Sequence, residues 1–116
     1  MKDKNKITPN NGHQFELDFK NENFYKHNKL SEDLIEKYTD KVNWDMICIH
    51  QNLSEDFIEK HQDKFYWLYI STYQNLSEDF MEKHADKFDW AYLKMHQNLS
   101  EDFIEKHADR LLLYGY

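Results

Sequence analysis

The tetrapeptide Leu-Ser-Glu-Asp begins at Leu30, Leu53, Leu76 and Leu99, always 23 residues apart. A fixed period of this length marks a duplicated supersecondary unit, because propensity alone does not place the same side chains at a set interval. Residues 53–75 and 76–98 are identical at 15 of 23 positions. The period divides the chain into complete units at 30–52, 53–75 and 76–98 and a truncated unit at 99–116. Upstream, Phe19, Phe24 and His27 fall in register with Phe88, Leu93 and His96, which makes 18–29 a degraded half-unit. Residues 1–17, polar at their start and containing Pro9 and Gly12, are expected to form a flexible tail ahead of a helical repeat domain at 18–116.

Each unit reads as two helices. Ser54 is a good N-cap, Glu55 and Asp56 put negative charge on the first turn, and Leu53 can staple onto Ile58. Phe57, Ile58, His61 and Phe65 fall within an arc of ~100°, one amphipathic face. The second helix takes Asn43 or Asp89 as its cap, carries Trp44, Trp67 or Trp90 near its start, and should end where an asparagine adopts the left-handed cap that glycine usually supplies. With two Gly and one Pro in the chain, a many-turned sandwich or barrel is disfavoured. Helices of about 8–11 residues are too short to stand alone in water, so stacking must supply the stability. The expected fold is all-α, a short α-solenoid of stacked helix-turn-helix repeats.

The run Leu-Ser-Glu-Asp-Phe-Ile-Glu-Lys-His-Ala-Asp-Arg at 99–110, with its relatives at 30, 53 and 76, resembles the short LSEDFIEKHADK-type repeats of giant-virus, phage and some bacterial proteins. The likeness covers residues 30–116. It implies a viral or mobile-element character and a binding scaffold, and it carries no catalytic residue across.

The net charge of −7 argues against non-specific attachment to nucleic acid or anionic membrane, since both require a positive field. That charge is uneven: residues 1–29 carry +2 and residues 30–116 carry −9. One cysteine, Cys48, cannot form an internal disulfide, and Met-Lys-Asp-Lys-Asn-Lys leads into no apolar signal-peptide run. A soluble protein of a reducing, cytoplasmic compartment is expected, in a host cell if the viral likeness holds.

Three surfaces are candidates for partner binding. On the second helix, Tyr69, Ile70, Tyr73 and Gln74 and their equivalents are similar between units and read as core. The opposite arc changes from unit to unit and includes Asp45, Ile49, Leu68, Thr72, Ala91, Lys94 and Met95, together with Cys48 and Ser71. Such a face recognises a partner in many repeat proteins, while burial against the next layer is the alternative. The second surface is an acidic ladder of Glu32, Asp33, Glu55, Asp56, Glu78, Asp79, Glu101 and Asp102, able to mimic nucleic acid toward a basic protein or simply to stabilise helix N-termini. The third is the C-terminal end, where Leu112, Tyr114 and Tyr116 exceed what one buried face needs. An end-to-end homodimer or a fold-back of the last helix would cover them.

Chemistry at a site is less well supported. His61, His84 and His107 share one repeat position, too far apart for a common ion, and Tyr38 replaces them in the first unit, so a polar-tipped ring at a packing seam is expected. No metal site and no cofactor are expected. Asp40, Asp63, Asp86 and Asp109 read as caps of the next helix or as ties for the turn. The place of Cys48 is taken by Ser71 and Lys94 in sister units, which a nucleophile would not tolerate. The expectation is a non-enzymatic protein-binding repeat module, most concretely a viral or phage-type inhibitor or adaptor docking on a host protein, with an anti-CRISPR-like, nucleic-acid-mimicking inhibitor as its sharpest form. The rivals are a self-assembling structural repeat protein and a direct RNA binder, the latter weakened by tryptophans that recur on the core face.

Overall fold

The computed structural model describes residues 6–7 and 17–112. The described chain is mostly helical, and none of its helices is long and apolar enough to cross a membrane. Two compact halves are distinguished, one ending at Lys64 and one beginning at Phe65.

The N-terminal half contains β1 (Lys6–Ile7), α1 (Glu22–His27), β2 (Lys29–Leu30), α2 (Glu32–Lys37), α3 (Trp44–His50), α4 (Glu55–Lys60) and a 3-10 turn at Gln62–Lys64. β1 and β2 pair in parallel, Lys6 beside Lys29 and Ile7 beside Leu30. α1 packs on α3. Tyr25, fully buried on α1, fixes that contact: its hydroxyl donates to the Phe19 carbonyl at 2.6 Å and accepts the Asn43 N–H at 2.8 Å. Burial raises its pKa, partly offset by the Asn43 bond, and nearby Asp18 adds to the rise.

The C-terminal half contains α5 (Trp67–Tyr73), α6 (Glu78–Lys83), α7 (Trp90–His96), α8 (Glu101–Lys106) and α9 (Ala108–Leu112). α5 packs on α7, and α9 packs on both α7 and α8.

The first helices α2, α4, α6 and α8 are built alike. Ser31, Ser54, Ser77 and Ser100 precede them with extended backbone, and each hydroxyl accepts the N–H three residues on at 3.1 Å. Acids follow in the first turn and lysine closes the last, the order that the helix dipole favours. These helices have six residues and the second helices α3, α5 and α7 have seven, shorter than the periodicity predicts. The physical reason is an early stop. Tyr38, His61, His84 and His107 leave helical geometry at φ near −112°, and Gln51, Gln74 and Gln97 end the second helices in extended backbone. The C-cap is therefore an extended glutamine, and the predicted left-handed asparagine at the helix end is not what stops it.

Those glutamines do more than stop a helix. In the N-terminal half, Gln51 Nε2 donates to the carbonyls of Tyr25 (2.7 Å) and Asn28 (2.9 Å), and its Oε1 accepts the Leu30 N–H (2.8 Å). In the C-terminal half, Gln97 makes the same three bonds, to Ser71 (3.0 Å), Gln74 (2.8 Å) and Leu76 (3.4 Å). One side-chain amide thus satisfies three backbone groups that the chain's exit from the previous helix would leave unpaired.

Candidate binding surfaces

A repeated aromatic cluster anchors each second helix and decides which of its faces remains open. Trp44 stacks on Phe57 with ring centroids 6.1 Å apart, and His61 lies 4.6 Å from Phe57 and 5.1 Å from Trp44. The C-terminal half holds the same arrangement twice, as Trp67–Phe80–His84 and Trp90–Phe103–His107. The indole N–H of Trp44 donates to Thr39 O and that of Trp90 to Ala85 O. His61 Nε2 bonds to Glu36 at 2.9 Å, and His107 Nε2 bonds to Glu82 at 3.0 Å. These histidines have an aromatic body packed in a seam and a polar tip on a carboxylate. Among the described residues no group of three or more His, Cys, Asp or Glu is arranged to hold a metal ion.

The arc that varies between units is divided. Cys48 and Ser71 are buried, and Ser71 Oγ satisfies itself on the Trp67 carbonyl at 2.7 Å. Burial pushes the Cys48 thiol up to about 12, with the charge of Asp45 adding to it, so the side chain is a neutral thiol at pH 7. Asp45, Ile49, Leu68, Thr72, Ala91 and Lys94 are half-buried, and Met95 is 69% exposed. Thr72 returns its hydroxyl to the Leu68 carbonyl at 2.9 Å.

The core face also differs from expectation. Ile70 and Gln74 are buried, but Tyr69 is half-buried and Tyr73 is 49% exposed, so the tyrosines belong to the solvent side. Tyr66, Tyr69 and Tyr73 run along α5 at i, i+3 and i+7 and rest on one another, with centroids 5.6 and 6.1 Å apart. On α7, the helix that α5 packs against, Tyr92 and His96 stack at 6.0 Å at the places equivalent to Tyr69 and Tyr73. This aromatic stripe was hidden in the sequence because neighbouring units put Asn43 and Asp89 where Tyr66 stands. The i, i+3, i+7 spacing of the three tyrosines was the available signal.

The acidic ladder resolves into two sets. Glu32 and Glu78 are engaged: Glu32 accepts the Ser54 N–H and hydroxyl at 2.8 and 3.0 Å, and Glu78 accepts those of Ser100 at 2.6 and 2.8 Å. Glu55 is half-buried, as they are. Asp33, Asp56, Asp79, Glu101 and Asp102 are exposed. Further along the same helices, Glu36 binds Lys60 and His61, and Glu82 binds Lys106 and His107, which holds both carboxyls below the usual range. Asp86 ties a turn by pairing with Arg110 at 3.1 Å. The proposed dimer end falls outside the described residues at Tyr114 and Tyr116, as does the side chain of Leu112; Leu111 beside it is fully buried.

No protein-family model matches the chain, and neither does any curated protein or solved structure.

Proposed function

We propose that the chain is a non-enzymatic protein-binding module, its repeats stacked as a short α-solenoid, that meets its partner through the solvent side of α5 and α7. One observation carries the reading. α5 contains no charged residue, and among the described residues the exposed large apolar side chains Tyr66, Tyr73 and Met95 all lie on or beside α5 and α7. The solvent side of a short surface helix is ordinarily charged, and a contiguous aromatic and apolar surface is the usual mark of a docking site. Tyrosine suits that role, offering large contact area with little rotamer entropy to lose. The most concrete form is an intracellular inhibitor or adaptor of viral or phage type acting on a host protein, a reading supported by the repeat resemblance.

The test compares the wild type with a triple variant, Tyr66→Ser, Tyr73→Ser and Met95→Gln, in affinity capture from host lysate read by mass spectrometry. The variant is expected to stay folded by circular dichroism and to lose the partner that the wild type retains. Equal recovery by both proteins overturns the reading.

A second reading has its own observation: Asp33 and Asp56 in one half, and Asp79 and Asp102 in the other, are exposed at one repeat position, and in each half they offer negative charge to a basic nucleic-acid channel. Lysine at these four positions would then abolish capture while the tyrosine variant leaves it intact.

A further inference from the structure

We propose that a second copy of this chain docks head to tail, the Glu101–Glu105 edge of one copy meeting the Ser31–Lys37 edge of the next. The contact is already drawn twice inside the molecule. In the N-terminal half, Glu32 takes the Ser54 N–H and hydroxyl while Glu36 takes Lys60 and His61. In the C-terminal half, Glu78 takes Ser100 while Glu82 takes Lys106 and His107. Each time, one repeat unit supplies two glutamates four residues apart and the following unit supplies the donors.

Glu101 and Glu105 are that glutamate pair in the last unit, and both are exposed, with no donor on either among the described residues. Ser31 and Lys37 are the matching donors in the first unit. The Ser31 hydroxyl caps α2, but its O–H and N–H, like the Lys37 ammonium, meet no carboxylate among the described residues. Tyr38, which stands where later units have histidine, brings a hydroxyl donor to the same place.

Apolar packing points to the same junction. Ile35, Ile58 and Met81 are fully buried, whereas Ile104 at the equivalent position is half-exposed. β1 runs beside Lys29–Leu30, next to Ser31, so an arriving copy competes with that pairing.

A heterologous contact of this kind leaves a free edge on every added copy, so mass should grow stepwise with concentration. Light scattering on the full 14.4 kDa chain at low salt tests it. Mass is expected to rise above the monomer as concentration increases, and to fall back with added salt. Glu105→Lys and Lys37→Glu should each weaken association about tenfold, and the two together should restore it. Circular dichroism confirms that the variants fold. A strictly monomeric protein at millimolar concentration and low salt, or association indifferent to either reversal, overturns the proposal.

Discussion

Gln51 Nε2 donates to the Tyr25 carbonyl at 2.7 Å, across 26 residues of chain, and Gln97 repeats that bond to Ser71 across the same separation. Gln51 is buried and Gln97 half-buried, so the two are unequal in energy. Gln51→Ala strands two carbonyls and one N–H, each costing about 1–3 kcal/mol when buried without a partner. A loss of roughly 3 kcal/mol is expected, at the lower end because water can enter the space vacated. Gln97→Ala should lose less. Urea unfolding of both variants checks the order, and equal losses would contradict it.

The first helices were legible because their signals are local: Ser31, Ser54, Ser77 and Ser100 cap, and the acid-to-lysine order follows the dipole. The histidine seam was legible too, because Tyr38 at the same place reveals a ring with a polar tip. What was not legible depends on side-by-side packing of second helices. Periodicity on α5 places Tyr69 and Ser71 on opposite arcs but does not say which arc the neighbouring helix covers. The buried arc is the one that holds Ser71, whereas Tyr69 is half-buried and Tyr73 is 49% exposed. The glutamine bridge was half legible: Gln74 and its equivalents read as core, but the sequence does not say which backbone groups a buried amide meets.

Cys48 gives an alkaline signature. Its thiol ionises near 9.0 in an unfolded chain and near 12 in the fold, so its contribution is intact below pH 9 and is lost as pH rises toward 12. At about 1.4 kcal/mol per unit the complete loss is roughly 4 kcal/mol. Cys48→Ser introduces the hydroxyl that Ser71 carries at the equivalent place, where it bonds to its own helix, and should remove this part of the alkaline destabilisation. Denaturation midpoints of the two proteins from pH 8 to 11 should diverge progressively, and the native thiol should react slowly with a disulfide reagent at pH 8. Parallel midpoints would refute the assignment.

Glu36 and Glu82 act at the other end of the pH scale. Both carboxyls are held below 4.5 by their lysine and histidine partners, so the unfolded chain takes up protons first as the solution is acidified. Their contribution is complete above that value and declines as pH falls toward the folded pKa. Glu36→Gln and Glu82→Gln should each flatten the acid limb of a stability profile. Added salt should reduce the difference, because both pairs reach solvent. An unchanged acid limb in both variants would show that the pairs contribute nothing.

Arg110 stands where earlier units carry Lys41, Lys64 and Lys87, and the geometry says why the exchange matters. Its guanidinium donates to the Ala85 carbonyl at 2.8 Å and to Asp86 at 3.1 Å, and lies 5.2 Å from the centre of the Trp90 ring. Lysine cannot reproduce a planar fork that bonds two acceptors while lying over an indole. Arg110→Lys should therefore cost about 1 kcal/mol, concentrated in α9, whose five residues cannot hold themselves. Amide exchange is the discriminating measurement. Residues 108–111 should lose protection in the variant while α5 keeps its own, and a uniform change across both helices would mean that Arg110 serves global stability instead of fastening the last helix.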